Sequence, residues 1–164
     1  GVTHVIVGHS ERRALGDTDE VVNNKIKAIL KSGLTPVLCV GEKVRDEAGL
    51  YLQFISDQLN NAFKDIQKTS LKNIVVAYEP VWAIGKNANR EATPAEILEI
   101  SIYIKRYLND LLGKISIPIL YGGSVNPKNA EVFLREGGVQ GLLVGRDSLD
   151  PKKFIEILKI AEKI

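Results

Sequence analysis

Methionine is absent from the 164 residues, and cysteine and tryptophan occur once each. A single cysteine cannot close an internal disulfide, which excludes a disulfide-stapled scaffold and fits a reducing, cytoplasmic setting. Long hydrophobic runs are lacking as well. The apolar stretches fall far short of the ~20 residues that span a bilayer, and no signal-peptide pattern is seen, so no membrane association is expected. Charge of one sign is missing too: 22 Lys/Arg against 20 Asp/Glu leave +2, without a basic stripe, and no nucleic-acid partner is expected. The G-x-G-x-x-G fingerprint of dinucleotide-binding folds does not occur. Without an initiator methionine, and with strand-like HVIVG already at residues 4–8, the chain reads as shortened at its N-terminus.

What is present is a set of short apolar runs rich in Val, Ile and Leu: HVIVG, TPVLCVG, NIVVAYE, IPILYG and GLLVG. Near-continuous runs of this kind suit strands buried on both faces of a parallel sheet. Amphipathic stretches alternate with them. DEVVNNKIKAILKSG places Val21, Val22, Ile26, Ile29 and Leu30 on one face and stops at Gly33. LYLQFISDQLNNAFKDI repeats the spacing with Leu52, Ile55, Leu59, Phe63 and Ile66, and the stretch NNAFKDIQKTSLKN that overlaps its end reads as a solvated helix end. TPAEILEISIYIKRYLNDLLG opens on Thr93 as N-cap, Pro94 at the first helical position and Glu96 three after the cap. NPKNAEVFLREGG and DPKKFIEILKIAEKI follow the same formula, with Asn126 and Asp150 as caps. The order is β-α five times over in one α/β domain, residues 1–164, without linker or repeat. Two architectures accommodate it: a doubly wound open sheet, or part of an eight-unit barrel.

In both, function gathers at the carboxyl ends of the strands. Those ends carry His9, Ser10 and Glu11, then Glu42, then Glu79, then Gly122, Gly123 and Ser124, and last Gly145 and Arg146. A histidine and a glutamate can share proton movement, one as base and one as polariser of an oxygen. Glycine turns ahead of helices expose N–H groups that bind phosphate. The substrate class implied is a small phosphorylated carbonyl compound. Cys39 reads as a small core residue rather than a nucleophile.

The segments VIVGHSERR, TPVLCVGE, VVAYEPVWAIG, ILYGGSVNP and GLLVG resemble those of the triosephosphate isomerase family, in order and in approximate spacing, over essentially the whole chain. The resemblance implies a partial (β/α)8 TIM barrel beginning at about the fourth strand. It implies an isomerase of glycolysis and gluconeogenesis that interconverts dihydroxyacetone phosphate and glyceraldehyde 3-phosphate, with neither cofactor nor metal. Glu79 resembles the catalytic base, and His9 the neutral histidine that polarises the substrate oxygens, an assignment for which the family is itself a standard example. Pro80 to about Ala92 resembles the lid, with Pro80 and Trp82 restricting its first hinge. Gly85, Ser124, Gly145 and Arg146 resemble the phosphate contacts. Ile84 and Leu143 resemble the apolar cover of the carboxylate, and Tyr121 and Ser124 the lid latches. Ser10, Glu11 and Glu42 are supporting residues, Glu11 resembling the partner of an active-site lysine.

Three departures stand out. Arg146 occupies a position where the family carries glycine, which costs about 1 kcal/mol or more if positive φ is required there. The lid's far end, GKNANREATP, is about two residues longer than the usual form. A whole barrel takes about 250 residues, and no NWK segment, the family's source of that lysine, occurs here. The last point sets an impaired isomerase against a non-catalytic partial barrel. It also predicts a partner at the exposed sheet edges, either a second copy of the chain or an N-terminal fragment.

Overall fold

The computed structural model describes residues 1–85, 88, 90–113 and 115–164. Among them are five strands: β1 (His4–Val7), β2 (Thr35–Val40), β3 (Val75–Tyr78), β4 (Ile119–Tyr121) and β5 (Gly141–Leu142). The helices are α1 (Ser10–Ala14), α2 (Asp19–Lys31), α3 (Leu50–Phe63), α4 (Lys68–Leu71), α5 (Pro94–Leu112), α6 (Ala130–Glu136) and α7 (Pro151–Ala161). Every strand pairs parallel with its neighbour, in the order β1-β2-β3-β4-β5. This order settles the architecture. A doubly wound sheet reverses its strand order and carries helices on both faces, whereas a barrel adds each strand beside the last. Here the order never reverses, and the fold is five consecutive units of a partial (β/α)8 barrel.

Strand periodicity divides the side chains between two layers. Leu38 and Val40 of β2, Val76 and Tyr78 of β3, and Ile119 and Tyr121 of β4 join Val22, Ile26, Ile55, Leu59, Ile97, Ile100 and Ile104 in the core between sheet and helices. The alternate residues Val37, Cys39 and Ala77 form a second, smaller cluster on the inner face, against which Val75, Leu120 and Leu143 pack. Ile6 is in register with Val37 on that face but is 52% exposed.

Local signals fix most helix ends. Thr93 and Glu96 form a reciprocal capping box at the start of α5, and Asp150 accepts from the N–H groups of Lys152 and Lys153 at the start of α7. Three expectations need correction. The sixth helix begins at Ala130, one turn later than a cap at Asn126 implies, because the Asn126 side chain closes a turn by accepting from Lys128 N–H. The stretch over residues 60–73 is largely exposed but is not a single helix end: α3 stops at Phe63, α4 intervenes, and Phe63 and Leu71 are both buried. Val21 stands 37% exposed, so the apolar face of α2 rests on Val22 and Ile26. No helix among the described residues is long and apolar enough to cross a membrane.

Candidate active site

β2 lies between β1 and β3, so residues following β1 and β3 meet over the end of β2. His9 is the N-cap of α1, and its Nδ1 accepts from the Glu11 N–H at 3.3 Å. A ring nitrogen that accepts carries no proton, so the hydrogen-bond pattern assigns the neutral tautomer with its proton on Nε2. That Nε2 lies 3.1 Å from Glu79 Oε1. The other carboxylate oxygen of Glu79, Oε2, accepts from the Ser10 N–H at 3.0 Å. One turn, residues 9–11, thus orients both members of the pair.

The Glu79 side chain is only 3% exposed. Burial pushes its carboxyl above the ordinary glutamate range, while His9, the Ser10 N–H and the Cys39 thiol favour the charged form. Cys39 sits on the inner face with its thiol driven up by burial and then by the Glu79 charge. It is held in the unreactive protonated form, as expected of a core residue.

The approach of strand ends depends on a glycine with no room for a side chain. A Cβ on Gly41 would lie 1.8 Å from the Glu79 carbonyl oxygen. Glu79 N–H donates to the Val40 carbonyl at 2.8 Å, and Val81 N–H to the Glu42 carbonyl at 3.0 Å. On the other side, a Cβ on Gly122 would meet Glu79 Cγ at 3.1 Å and Leu143 Cβ at 3.6 Å, so both side chains border this glycine.

The segment after Glu79 is a short 3-10 turn, Val81–Ala83. Trp82 Nε1 donates to Glu42 Oε1 at 2.7 Å, and the Tyr78 hydroxyl donates to the same oxygen at 2.9 Å. Glu42 is fully buried; burial raises its carboxyl and these two donors hold it down. Ser124 Oγ donates to the Ala83 carbonyl at 3.3 Å, joining this turn to the loop after β4. Gly85 follows with φ +87°, a backbone that glycine adopts without strain.

Of the residues singled out in the sequence, His9, Ser10 and Glu79 are in direct contact, as are Glu42 and Trp82. Ile84 is half-buried, and Tyr121 is buried with its ring edge-on to Phe133. Glu11 touches the site through its backbone N–H alone, and no ion pair to its side chain exists among the described residues. Gly145 and Arg146 are exposed at the start of a 3-10 turn, Arg146–Leu149. Arg146 is not among the residues with positive φ, so the strain it would carry in a left-handed backbone does not arise. Of the lid stretch, Lys86, Asn87 and Asn89 lie outside the described residues. Two cavities, about 450 Å³ between β5 and α7 and about 270 Å³ beside Glu42, do not include His9 or Glu79. Among the described residues no cluster of three or more His, Cys, Asp or Glu is placed to hold a metal ion.

Three contributors escape the sequence reading. Gly41 matters through what its missing side chain allows, Tyr78 through a hydroxyl on an otherwise apolar strand, and Arg90 through a contact with Trp82 eight residues away. Of these only the hydroxyl within VVAY is a signal in the sequence, since a buried tyrosine hydroxyl requires a partner.

Similarity to known proteins agrees with this geometry. The family model for triosephosphate isomerase matches residues 1–161. The triosephosphate isomerase of Aquifex aeolicus is 45% identical over 162 residues, covering 96% of this chain and 64% of the relative. That of Mycoplasmoides gallisepticum is 42% identical over 164 residues, covering 97% of this chain and 64% of the relative. That of Dehalococcoides mccartyi strain CBDB1 is 45% identical over 166 residues, covering 98% and 64%. The chain therefore spans about 64% of the length of these curated relatives. With a match that runs from residue 1 to residue 161 and a sheet wound as that family's barrel requires, the chain belongs to the triosephosphate isomerase family.

Proposed function

We propose that this chain carries the proton-transfer pair of a triosephosphate isomerase, interconverting dihydroxyacetone phosphate and D-glyceraldehyde 3-phosphate in the cytoplasm, in glycolysis and gluconeogenesis. The observation that carries this reading is the 3.1 Å contact between His9 Nε2 and Glu79 Oε1, with both side chains tied to the N–H groups of one turn. The reaction moves one proton between adjacent carbons and one between adjacent oxygens, so nothing is oxidised or reduced overall. Glu79 takes the carbon-bound proton, and its raised basicity suits that step. His9 Nε2–H donates to the oxygen on which charge develops, then recovers a proton from the neighbouring hydroxyl. Glu79 returns its proton to the other carbon. A direct 3.1 Å contact leaves no space for a substrate between the two groups, so the carboxylate must swing off His9 before turnover.

Gly85, Ser124, Gly145 and Arg146 are proposed to hold the phosphate, the first three through backbone N–H groups and Arg146 through its N–H and its cation. Ile84 and Leu143 are proposed to exclude water from the carboxylate, and Tyr121 and Ser124 to hold the lid. The motif order supports reading the 164 residues as one partial domain made of later units of the barrel. A second reading, a non-catalytic partial barrel that acts by assembly, is favoured by one observation: among the described residues β1 and β5 each have a single neighbour, and Ile6 is half-exposed on the inner face. Its partner would be a second copy or an N-terminal fragment.

The deciding experiment supplies dihydroxyacetone phosphate in deuterated water and follows both product formation and deuterium entry at carbon. Proton transfer through Glu79 predicts exchange that falls by about 10² in Glu79→Asp, since the base retreats by about one methylene. Exchange and turnover unaffected by this substitution remove Glu79 from the role. No exchange in the parent chain, alone or with an N-terminal fragment, favours the assembly reading.

A further inference from the structure

Arg90 precedes α5 by four residues. Its guanidinium carbon sits 4.6 Å from the centroid of the Trp82 ring. The same guanidinium makes a two-pronged pair with Glu96, NH1 donating to Oε2 at 2.8 Å and NH2 to Oε1 at 2.6 Å, and NH1 also donates to the Glu91 carbonyl at 3.1 Å. Glu96 is itself fixed: its Oε2 accepts from the Thr93 N–H and hydroxyl at 2.8 and 2.9 Å as half of the capping box of α5. The opposite edge of Trp82 is tied by its indole N–H to Glu42. The indole is thus held across its face from α5 and at its edge from the end of β2, and it stands three residues after Glu79.

From this geometry we infer that Arg90 is a positioning residue: it clamps Trp82 to the N-terminus of α5 and so fixes the backbone from which the Glu79 carboxylate projects. Each part of the arrangement is directional. A planar guanidinium can stack on an aromatic face and form a two-pronged carboxylate pair at once, because the stacking uses its π-face and the pair uses its edge. A lysine ammonium has neither a π-face nor a fork. The guanidinium holds the Glu96 carboxyl down at about 2, so the pair is ionised at neutral pH. Arg90 is half-exposed, so the contact can be made and broken without opening the core. The effect on turnover rests on the proposed isomerase reading; the clamp on Trp82 does not.

Trp82 is the only tryptophan, so indole fluorescence and the single indole N–H resonance report on this ring alone, and with the Glu42 bond common to parent and variants their change reads the Arg90 contact. The test compares the parent chain with Arg90→Gln and Arg90→Lys, using acrylamide quenching, the indole resonance and the steady-state rate with glyceraldehyde 3-phosphate. Arg90→Gln should raise the quenching constant about two- to five-fold, the population factor that one exposed cation–π contact represents. It should broaden or split the indole resonance and lower kcat by a similar factor with KM unchanged. Arg90→Lys should fall between the two. If Arg90→Gln fails to fold, Arg90→Lys carries the test by the same quenching measurement. Unchanged quenching in the folded variants overturns the clamp. Raised quenching with unchanged kcat, in a protein where Glu79→Asp does lower kcat, overturns the link from Trp82 to the carboxylate. If Glu79→Asp leaves turnover intact as well, the isomerase reading has failed, and the quenching result still decides whether Arg90 clamps the indole.

Discussion

Replacing Gly41 by alanine adds one methyl group at the most crowded of the glycine positions, directly after β2. The new carbon would lie 1.8 Å from the Glu79 carbonyl oxygen, 2.6 Å from its carbonyl carbon and 3.3 Å from its Cα. Close carbon–oxygen contacts settle at about 3.3 Å, so the two strand ends must part by roughly 1.5 Å. That separation is opposed on both sides of the contact, by the Glu79 N–H bond to Val40 at 2.8 Å and the Val81 N–H bond to Glu42 at 3.0 Å. Overpacking a well-filled site costs about 1–3 kcal/mol, and leaving one of these buried amides without its acceptor costs about 1–3 kcal/mol more. The sum, about 2–6 kcal/mol, lowers the Tm of a chain this size by roughly 4–24 °C. Calorimetry and urea titration read this directly. The carboxylate moves with its backbone, so where turnover is measurable kcat should fall by about 10² for a displacement near 1 Å. Gly122→Ala is the matched control. Its nearest atom is a side-chain carbon, Glu79 Cγ at 3.1 Å, with backbone no closer than the Tyr78 carbonyl at 3.5 Å, so the cost should stay at the low end for overpacking, about 1 kcal/mol. A Gly41→Ala protein within about 0.5 kcal/mol of the parent would refute the claim that strand approach at this glycine sets the position of Glu79.

Two further expectations concern charge and reactivity. Glu79 has its folded carboxyl raised above the unfolded value of about 4.3. Its contribution is therefore fully present below that pH and is lost as pH rises through the higher folded value. Glu79→Gln, which removes the buried charge, should be more stable than the parent at pH 8, with the difference shrinking as pH falls toward 4; urea midpoints across this range measure it, and a parent chain that is the more stable at pH 8 contradicts the burial argument. Cys39, buried and protonated, should react with a chromogenic disulfide only at the rate of unfolding, and rapid labelling of the native chain would show that the inner face is open to solvent.

Much of this fold is legible in the sequence because its determinants are local. Five Val/Ile/Leu runs alternating with amphipathic stretches give the parallel units, and Thr93-Pro94 with Glu96, or Asp150-Pro151, announce helices that start at those residues. Misreadings occur where a local signal has two outcomes. Asn126-Pro127 suits a helix cap and a turn equally well, and here three turn residues precede a helix that begins at Ala130. The GLLVG run reads as a full strand, yet only Gly141 and Leu142 pair with β4 and the chain leaves the ladder after the Leu143 N–H. Strand order is not legible in the apolar runs. The same runs suit a doubly wound sheet, and the consecutive order appears only when long-range pairing is seen.

The candidate site divides along the same line. Motifs bring His9 and Glu79 into one argument, but their chemistry depends on a distance, and no stretch of sequence contains it. The 3.1 Å pair exists because β1 and β3 flank one strand, because residues 9–11 turn into a helix whose first N–H groups reach both side chains, and because Gly41 lets the chain at Glu79 come closer than any side chain would permit. The hinge follows the same rule. Glu42 and Trp82 lie 40 residues apart, and Trp82 alone suggests no more than an apolar anchor. Once Glu42 is seen buried and accepting from both Trp82 and Tyr78, the tryptophan becomes the link between the end of β2 and the segment that leaves Glu79. A buried carboxylate is costly unless its charge is met by donors, so Glu42 holds the indole at the expense of its own solvation. The contact on the face of the ring, from Arg90, then meets an indole that already has one fixed edge, and for that reason a half-exposed guanidinium can orient it.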